Sequence, residues 1–120
     1  MVTVRRKLNN AVFRAIADPT RREILSLLRG GQRTVGEIAA NFRTSRPAIS
    51  KHLRQLRSAG LVIAHKQGTA HICDLNAKPL RAVSAWLHGY EAFWEESMRS
   101  LKMYVEKNST SKRTSKEEKL

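Results

Sequence analysis

The chain has 120 residues, of which 41% are hydrophobic, and its 23 Lys or Arg residues against 10 Asp or Glu give a formal net charge of +13. This length predicts a single compact domain, and no apolar run reaches the roughly 18 residues of a membrane helix, so we expect a cytoplasmic protein with no membrane partner. The only cysteine, Cys73, excludes an intrachain disulfide framework. The positive charge favours a polyanionic partner, with nucleic acid ahead of an anionic membrane surface.

Charge and apolar content divide the chain into three parts. Residues 1–8 predict a loose basic arm, and residues 107–120 predict a disordered tail because their few apolar side chains cannot offset the entropy of ordering. Residues 9–106 are then the folded domain. Within it, residues 29–57 hold seven Arg or Lys and one acid, whereas residues 91–106 hold four acids and two bases. The surface that meets an anion is therefore expected in the first half of the domain.

The first two predicted helices meet at Asp18 and Pro19. An apolar face that includes Val12 and Phe13 predicts the first helix, which ends before Pro19 because proline disfavours the helical conformation in the residue before it. Asp18 can cap the second helix, with Pro19 at its first position, where the missing N–H has no cost. The second helix is expected to end at the paired glycines 30 and 31.

Two further helices follow closely on one another. Thr34 and Glu37 fit a capping box at the start of a short third helix over residues 35–41. Ser45 is a suitable N-cap for a fourth helix that ends at residues 59–60. The spacing of its apolar residues predicts a stripe that faces inward, and these residues are Ile49, Leu53 and Leu56.

The remainder of the domain predicts a hairpin and then one long helix. Residues 61–66 and 70–75 read as two strands that are joined by a turn at residues 67–69. From Pro79 to Tyr104, apolar residues step by three and four along a single helix. With Trp86 and Phe93 added, its apolar surface is wider than packing on one small domain requires, which indicates contact with a second chain.

Together these elements predict a mostly α-helical fold with a β-hairpin wing. It is a winged helix-turn-helix of about five helices, with the last helix in a dimer interface. In this arrangement the second helix of the pair enters the major groove of double-stranded DNA. Residues 46–59 hold no acid, which argues against the alternative of a merely solvated helix face. The residues of this region that we expect to contact DNA are Thr44, Ser45, Arg46, Pro47, Ser50, Lys51 and Arg54. Arg54, together with Arg57, is placed to contact phosphates.

Two segments carry a resemblance to a known family. Residues 13–25 (FRAIADPTRREIL) and 45–62 (SRPAISKHLRQLRSAGLV) resemble the ArsR family of bacterial repressors. The resemblance covers residues 9–105 and is closest to the members without metal sites, which include autorepressor-like proteins. It implies a homodimer on a two-fold symmetric operator, with the first and last helices at the interface. The residues we assign to that interface are Val12, Phe13, Trp86, Leu87, Tyr90, Phe93, Trp94 and Leu101.

The wing departs from the pattern of many relatives. They place an arginine just beyond the wing glycine, where this chain has Thr69, Ala70 and His71. We expect Lys66, Gln67 and His71 to touch phosphate or the minor groove.

The sequence predicts no cofactor and no metal site. Some members of the family sense metals through a Cys-x-Cys pair in the third helix, and this chain has apolar residues there, after Glu37. Other members bind zinc on the last helix, and His88 with Glu91 matches only half of that site. His88 and Glu91 are expected to form an exposed pair on the helix surface. Cys73 is expected to be a packed residue, and His52 is expected to pack and to form a hydrogen bond. An enzyme is not expected, since no nucleophile and base are suitably spaced. The alternatives are a nonspecific architectural nucleic-acid-binding protein, or a metal-responsive repressor with an incomplete site.

Overall fold

The computed structural model describes the backbone of residues 2–119 and the side chains of residues 6, 7 and 9–108. The chain divides into two units, the first ending at Ser84 and the second beginning at Ala85. Within the described part, no helix is long and apolar enough to cross a membrane.

Helices α1 (Val2–Ala15) and α2 (Pro19–Arg29) open the first unit. The Asp18 carboxylate accepts a hydrogen bond from the backbone N–H of Arg21 at 3.0 Å, and Pro19 takes the first helical position. The predicted boundary between the two helices is therefore confirmed. The backbone of residues 2–8 is helical, whereas a loose arm was expected there; Met1 and the side chains of residues 2–5 and 8 lie outside the described residues.

Helices α3 (Val35–Ala39) and α4 (Arg46–Ser58) form the helix-turn-helix. The Thr34 hydroxyl accepts from the backbone N–H of Glu37, and the Glu37 carboxylate accepts from the backbone N–H of Thr34, both at 3.1 Å. This is the predicted capping box. The bond from the Thr34 backbone N–H to the Glu37 carboxylate, followed by the influence of the Thr34 hydroxyl on the same carboxylate, holds the pKa of Glu37 below its ordinary value. Helix α3 ends two residues earlier than predicted, a difference that is common at helix ends.

Three strands make one antiparallel sheet in the order β1-β3-β2. Strands β2 (Val62–Gln67) and β3 (Ala70–Leu75) are the predicted hairpin, with Lys66 opposite His71. Gly68 in the turn has φ +64, a conformation that glycine adopts at little cost. Strand β1 (Arg33–Thr34) was not predicted from the sequence, and it pairs with Ile72 and Cys73 of β3.

The core of the first unit is built from helices and sheet together. Its fully buried side chains are Ile24, Leu28, Ile38, Ile49, Leu56, Leu61 and Cys73. Val12 is also a core residue and is only 3% exposed in the single chain. This corrects its assignment to the dimer interface, because a side chain already buried in its own core has almost no surface left for a partner. Phe13 beside it is half-buried.

The predicted single helix from Pro79 onward is wrong, because the structure breaks it into three pieces. A 3-10 turn (Lys78–Leu80) leads into α5 (Arg81–His88), and α6 (Glu91–Lys119) follows. The N–H groups of Gly89 and Tyr90 bond to carbonyls three residues back, which ends α5, and glycine is a poor helix former. The backbone of residues 107–119 belongs to α6, whereas a disordered tail is predicted there; Leu120 and the side chains from residue 109 onward lie outside the described residues, and the domain limits stay a prediction.

Candidate nucleic-acid interface

Helix α4 is anchored by the apolar stripe that the sequence predicts. Ile49, Leu53 and Leu56 are at most 4% exposed and pack in the core of the first unit. Burial of three large aliphatic side chains contributes about 1.5–3 kcal/mol each. The opposite face of the helix is thereby fixed outward.

Ser45 is the N-cap of helix α4. Its hydroxyl oxygen accepts a hydrogen bond from the backbone N–H of Ala48 at 3.2 Å, so the predicted N-cap is confirmed. A hydroxyl that accepts one bond keeps its own hydrogen to donate. Thr44 and Pro47 flank this cap and are exposed, which leaves the start of the helix open to a ligand.

The outer face of α4 is cationic. Arg46, Lys51, Arg54 and Arg57 are exposed, and no Asp or Glu occurs in the sequence between Glu37 and Asp74. None of the ion pairs found among the described residues involves these four side chains. Their charge is therefore uncompensated locally, which favours binding of a polyanion.

A cleft of about 290 Å³ separates this face from the wing. Arg46, Ser50 and Arg54 line it from α4, and His71 lines it from strand β3. Arg46 reaches toward α3, with its Nη2 atom 3.8 Å from where a Cβ of Gly36 would stand. Arg57, which is predicted to contact phosphates, lines the cleft as well, so the structure brings five of the predicted residues together on one surface.

The other predicted wing residues do not line the cleft. Lys66 and Gln67 are exposed at the turn end of β2, outside the residues that bound it. Their position leaves them free for a phosphate or groove contact beyond the cleft, and that role stays a prediction.

A second polar cluster joins α2 to α4, and sequence reasoning missed it. The Nδ1 atom of His52 is 3.4 Å from Nη1 of Arg21, which also bonds to Gln55. These partners lie 31 and 34 positions from Arg21 in the chain. No local pattern relates residues so far apart, so a hydrogen-bonding role for His52 was predictable but its partners were not.

The residues considered for metal and redox chemistry are Cys73, which is buried, and His88 with Glu91, which are exposed. Cys73 is buried in the core, as predicted, and this burial raises the pKa of its thiol although Arg57 acts in the opposite sense. His88 and Glu91 form an exposed pair with Nδ1 and Oε2 3.1 Å apart. Among the described side chains, no three His, Cys, Asp or Glu residues gather into a metal-binding group.

The second unit exposes a large apolar surface. Phe93 is 70% and Trp94 47% exposed in the single chain, and Leu101 is exposed further along α6. Tyr90 stands between Trp86 and Phe93, with ring centroids 5.3 Å and 6.5 Å away, and Leu87 is half-buried. Contiguous exposed aromatic surface of this kind marks an interaction site in proteins. These side chains include most of those predicted for the dimer interface.

Comparison with known proteins agrees with this geometry. Residues 18–64 match the family described as "Bacterial regulatory protein, arsR family". The transcriptional repressor SdpR of Bacillus subtilis is 45% identical over 78 residues, which are 65% of this chain and 87% of that protein. The crystal structure of an ArsR family transcriptional regulator superposes with a TM-score of 0.67 at 39% identity, covering 74% of this chain and 92% of the other.

A solution structure from Mycobacterium bovis is also similar. It is a homodimeric winged helix-turn-helix DNA-binding domain of a possible ArsR-family transcriptional regulator, with a TM-score of 0.59 and 30% identity over 71% of this chain and 84% of that one. The winged helix-turn-helix predicted from the sequence is confirmed by this likeness and by the observed elements. The chain belongs to the ArsR family of bacterial transcriptional regulators.

Proposed function

We propose that this chain is a transcriptional repressor that binds double-stranded DNA as a homodimer, on an operator with two-fold symmetry. The observation that carries the proposal is the outer face of α4, where Arg46, Lys51 and Arg54 are exposed without an acidic neighbour in the sequence from residue 38 to 73. The N-cap at Ser45 and the buried stripe hold this face outward. A helix so presented suits the major groove.

The residues divide by what they can reach. Those at the start of α4 are placed for base edges, since the N-terminal part of a recognition helix enters the groove most deeply. We assign base reading to Thr44, Ser45, Arg46, Pro47, Ser50 and Lys51. Arg54 on α4, with Lys66 and Gln67 on the wing, suits phosphates, which orient a protein on DNA without reading sequence.

The dimer is proposed from the exposed face of the second unit. A homodimer must place its two recognition helices about 34 Å apart, one turn of B-DNA. We assign Phe13, Trp86, Leu87, Tyr90, Phe93, Trp94 and Leu101 to the interface. The homodimeric state of the M. bovis relative supports this assignment, and the naming of SdpR as a repressor supports the direction of regulation. Because the proposed partner is chromosomal DNA, we place the protein in the bacterial cytoplasm.

The test is a ratio of affinities. DNA that the protein selects from a random-sequence pool is compared with a scrambled duplex of the same composition, at physiological salt. A specific regulator is expected to prefer the selected sequence by at least about a thousandfold. A ratio near one would instead identify a nonspecific architectural protein. The same measurement with added zinc is expected to give unchanged affinity, and a large change would support a metal-responsive repressor.

A further inference from the structure

Arg21 connects three helices through one side chain. It lies near the start of α2, and its Nε donates to the backbone carbonyl of Ala15 at 2.6 Å. Its Nη2 donates to the carbonyl of Arg14 at 2.9 Å. Its Nη1 donates to the side-chain oxygen of Gln55 and lies 3.4 Å from Nδ1 of His52. The guanidinium therefore joins the end of α1 to the recognition helix.

The guanidinium of Arg21 fixes the direction in which its partners lie. The last carbonyls of a helix lack partners within the helix and carry partial negative charge, so a cation there is stabilising. A guanidinium is planar and donates in fixed directions, and all three of its nitrogens are engaged here. Once two nitrogens are held by Arg14 and Ala15, the direction of the third is set, and with it the position of Gln55.

We propose that Arg21 is a positioning residue that sets the recognition helix relative to α1. This inference rests on the proposed function, in which Phe13 of α1 meets the partner subunit and α4 reads DNA. Arg21 then connects α1, which would contact the partner subunit, to α4, which would contact the bases. Its effect is to hold the two recognition helices of the dimer at the separation and angle that two half-sites require.

Two other roles for Arg21 predict different measurements. If it contacted a phosphate directly, its loss would weaken binding to all sequences and would reduce the salt slope of binding by about one charge. If it contributed only to stability, its loss would lower the free energy of unfolding without altering sequence preference. A positioning role leaves the salt slope unchanged and lowers the preference for the selected sequence.

The experiment uses Arg21→Met in the full chain, with Arg22→Met as the matched control. Arg22 is the next residue on α2 and donates to the carbonyl of Ile16 at 2.9 Å, and no hydrogen bond among the described residues joins it to α4. Three duplexes are the probes: the sequence that wild type selects from a random pool, its scrambled version, and a version with about five base pairs, half a helical turn, inserted between the half-sites.

Arg21→Met is expected to lower the ratio of selected to scrambled affinity about tenfold or more, a change of the size that misplaced base contacts produce. It is also expected to discriminate less against the inserted duplex, with scrambled affinity and salt slope near wild type. Arg22→Met is expected to keep the wild-type ratio. An unchanged ratio in Arg21→Met, or a uniform loss with a smaller salt slope, would overturn the inference.

Gln55→Leu keeps the test decisive if Arg21→Met does not fold. It leaves the two bonds of Arg21 to α1 in place and removes the hydrogen bond to Gln55, so that the 3.4 Å approach to His52 is the only remaining contact of the guanidinium with α4 among the described residues. We expect the same loss of ratio, and, where both variants fold, a double variant no worse than either alone because residues in one network are not additive. An unchanged ratio in Gln55→Leu would count against positioning. A wild-type ratio near one would instead overturn the proposed function itself.

Discussion

The Nδ1 atom of His52 lies 3.8 Å from the Oδ2 atom of Asp18. Helix α4 and the N-cap of α2 therefore meet at one carboxylate, which also accepts a hydrogen bond from the backbone N–H of Arg21. That backbone bond, followed by the charges of His52 and Arg21, holds the pKa of Asp18 below its ordinary value, although partial burial acts in the opposite sense.

The lowered pKa of Asp18 predicts a pH-dependent contribution to stability. A carboxyl whose pKa is lower in the folded state stabilises the fold above its unfolded pKa, and this is lost as the pH falls through the folded value. Asp18→Ala is expected to lower the free energy of unfolding by about 1 kcal/mol at pH 7. The difference from wild type should shrink below about pH 4, near the ordinary pKa of an aspartate.

Asp18→Asn is the control for this experiment, since asparagine caps helices as well as aspartate but does not titrate. Urea unfolding at neutral and acid pH measures all three proteins. The prediction is wrong if wild type and Asp18→Asn change in parallel with pH.

Truncation to alanine is expected to lower the stability of the fold much more at Leu56 than at Ile63. Leu56 is fully buried, whereas Ile63 on β2 is 55% exposed. Leu56→Ala is expected to destabilise by about 2–5 kcal/mol because it removes buried methyl groups and leaves a cavity. Ile63→Ala is expected to change stability by about 0.5 kcal/mol or less. Denaturant unfolding compares them, and similar losses would contradict the burial of the α4 stripe.

Cys73 is expected to be unreactive in the folded protein. Burial in the core excludes reagents and raises the pKa of the thiol, so little of the reactive thiolate forms at neutral pH. A disulfide reagent such as dithionitrobenzoate should modify it slowly in buffer and rapidly in denaturant. Rapid reaction without denaturant would show that strand β3 opens readily at this point.

Arg46 and Lys66 are expected to affect DNA binding in different ways. Arg46→Ala should cost about 1–3 kcal/mol on the selected sequence and relax sequence preference. Lys66→Ala should weaken selected and scrambled duplexes alike and flatten the salt dependence, as a phosphate contact does. Titrations at several salt concentrations measure both. Equal, sequence-independent losses would remove Arg46 from the base-reading role.

Trp94 and Met103 test the proposed interface on α6. They are nine positions apart, which places them on opposite sides of the helix, and both are exposed in the single chain. Trp94→Ala is expected to raise the dimer dissociation constant about tenfold or more, as loss of an interface aromatic commonly does. Met103→Ala should leave it near wild type. Sedimentation measures both, and a monomeric wild type at micromolar concentration would contradict the interface.

Local chemistry explains which features were predictable. The caps at Asp18, Thr34 and Ser45 each involve residues within three positions of one another, and the structure contains all three as predicted. The inward stripe of α4 follows from helical periodicity in the same way. These elements specify the helix-turn-helix and the outward direction of its basic face.

The features that were missed depend on distant parts of the chain. Strand β1 has two residues and exists only because β3 lies beside it. Val12 has the same apolar character whether it faces its own core or a partner, so periodicity alone could not separate the two. The contacts of Arg21 with His52 and Gln55 likewise need the tertiary structure.

Thr34 belongs to two elements at once, since it pairs with Ile72 in the sheet and its hydroxyl caps α3. The base of the wing and the first turn of the helix-turn-helix are therefore connected directly through Thr34. Among the described residues, no hydrogen bond joins the turn at Gly68 to a helix, and no atom lies within 4 Å of where a Cβ of Gly68 would stand. We therefore expect changes in hairpin length to be tolerated at the tip, where in the proposed complex they would alter the reach of the wing along DNA, whereas a shift of register at the base would displace α4.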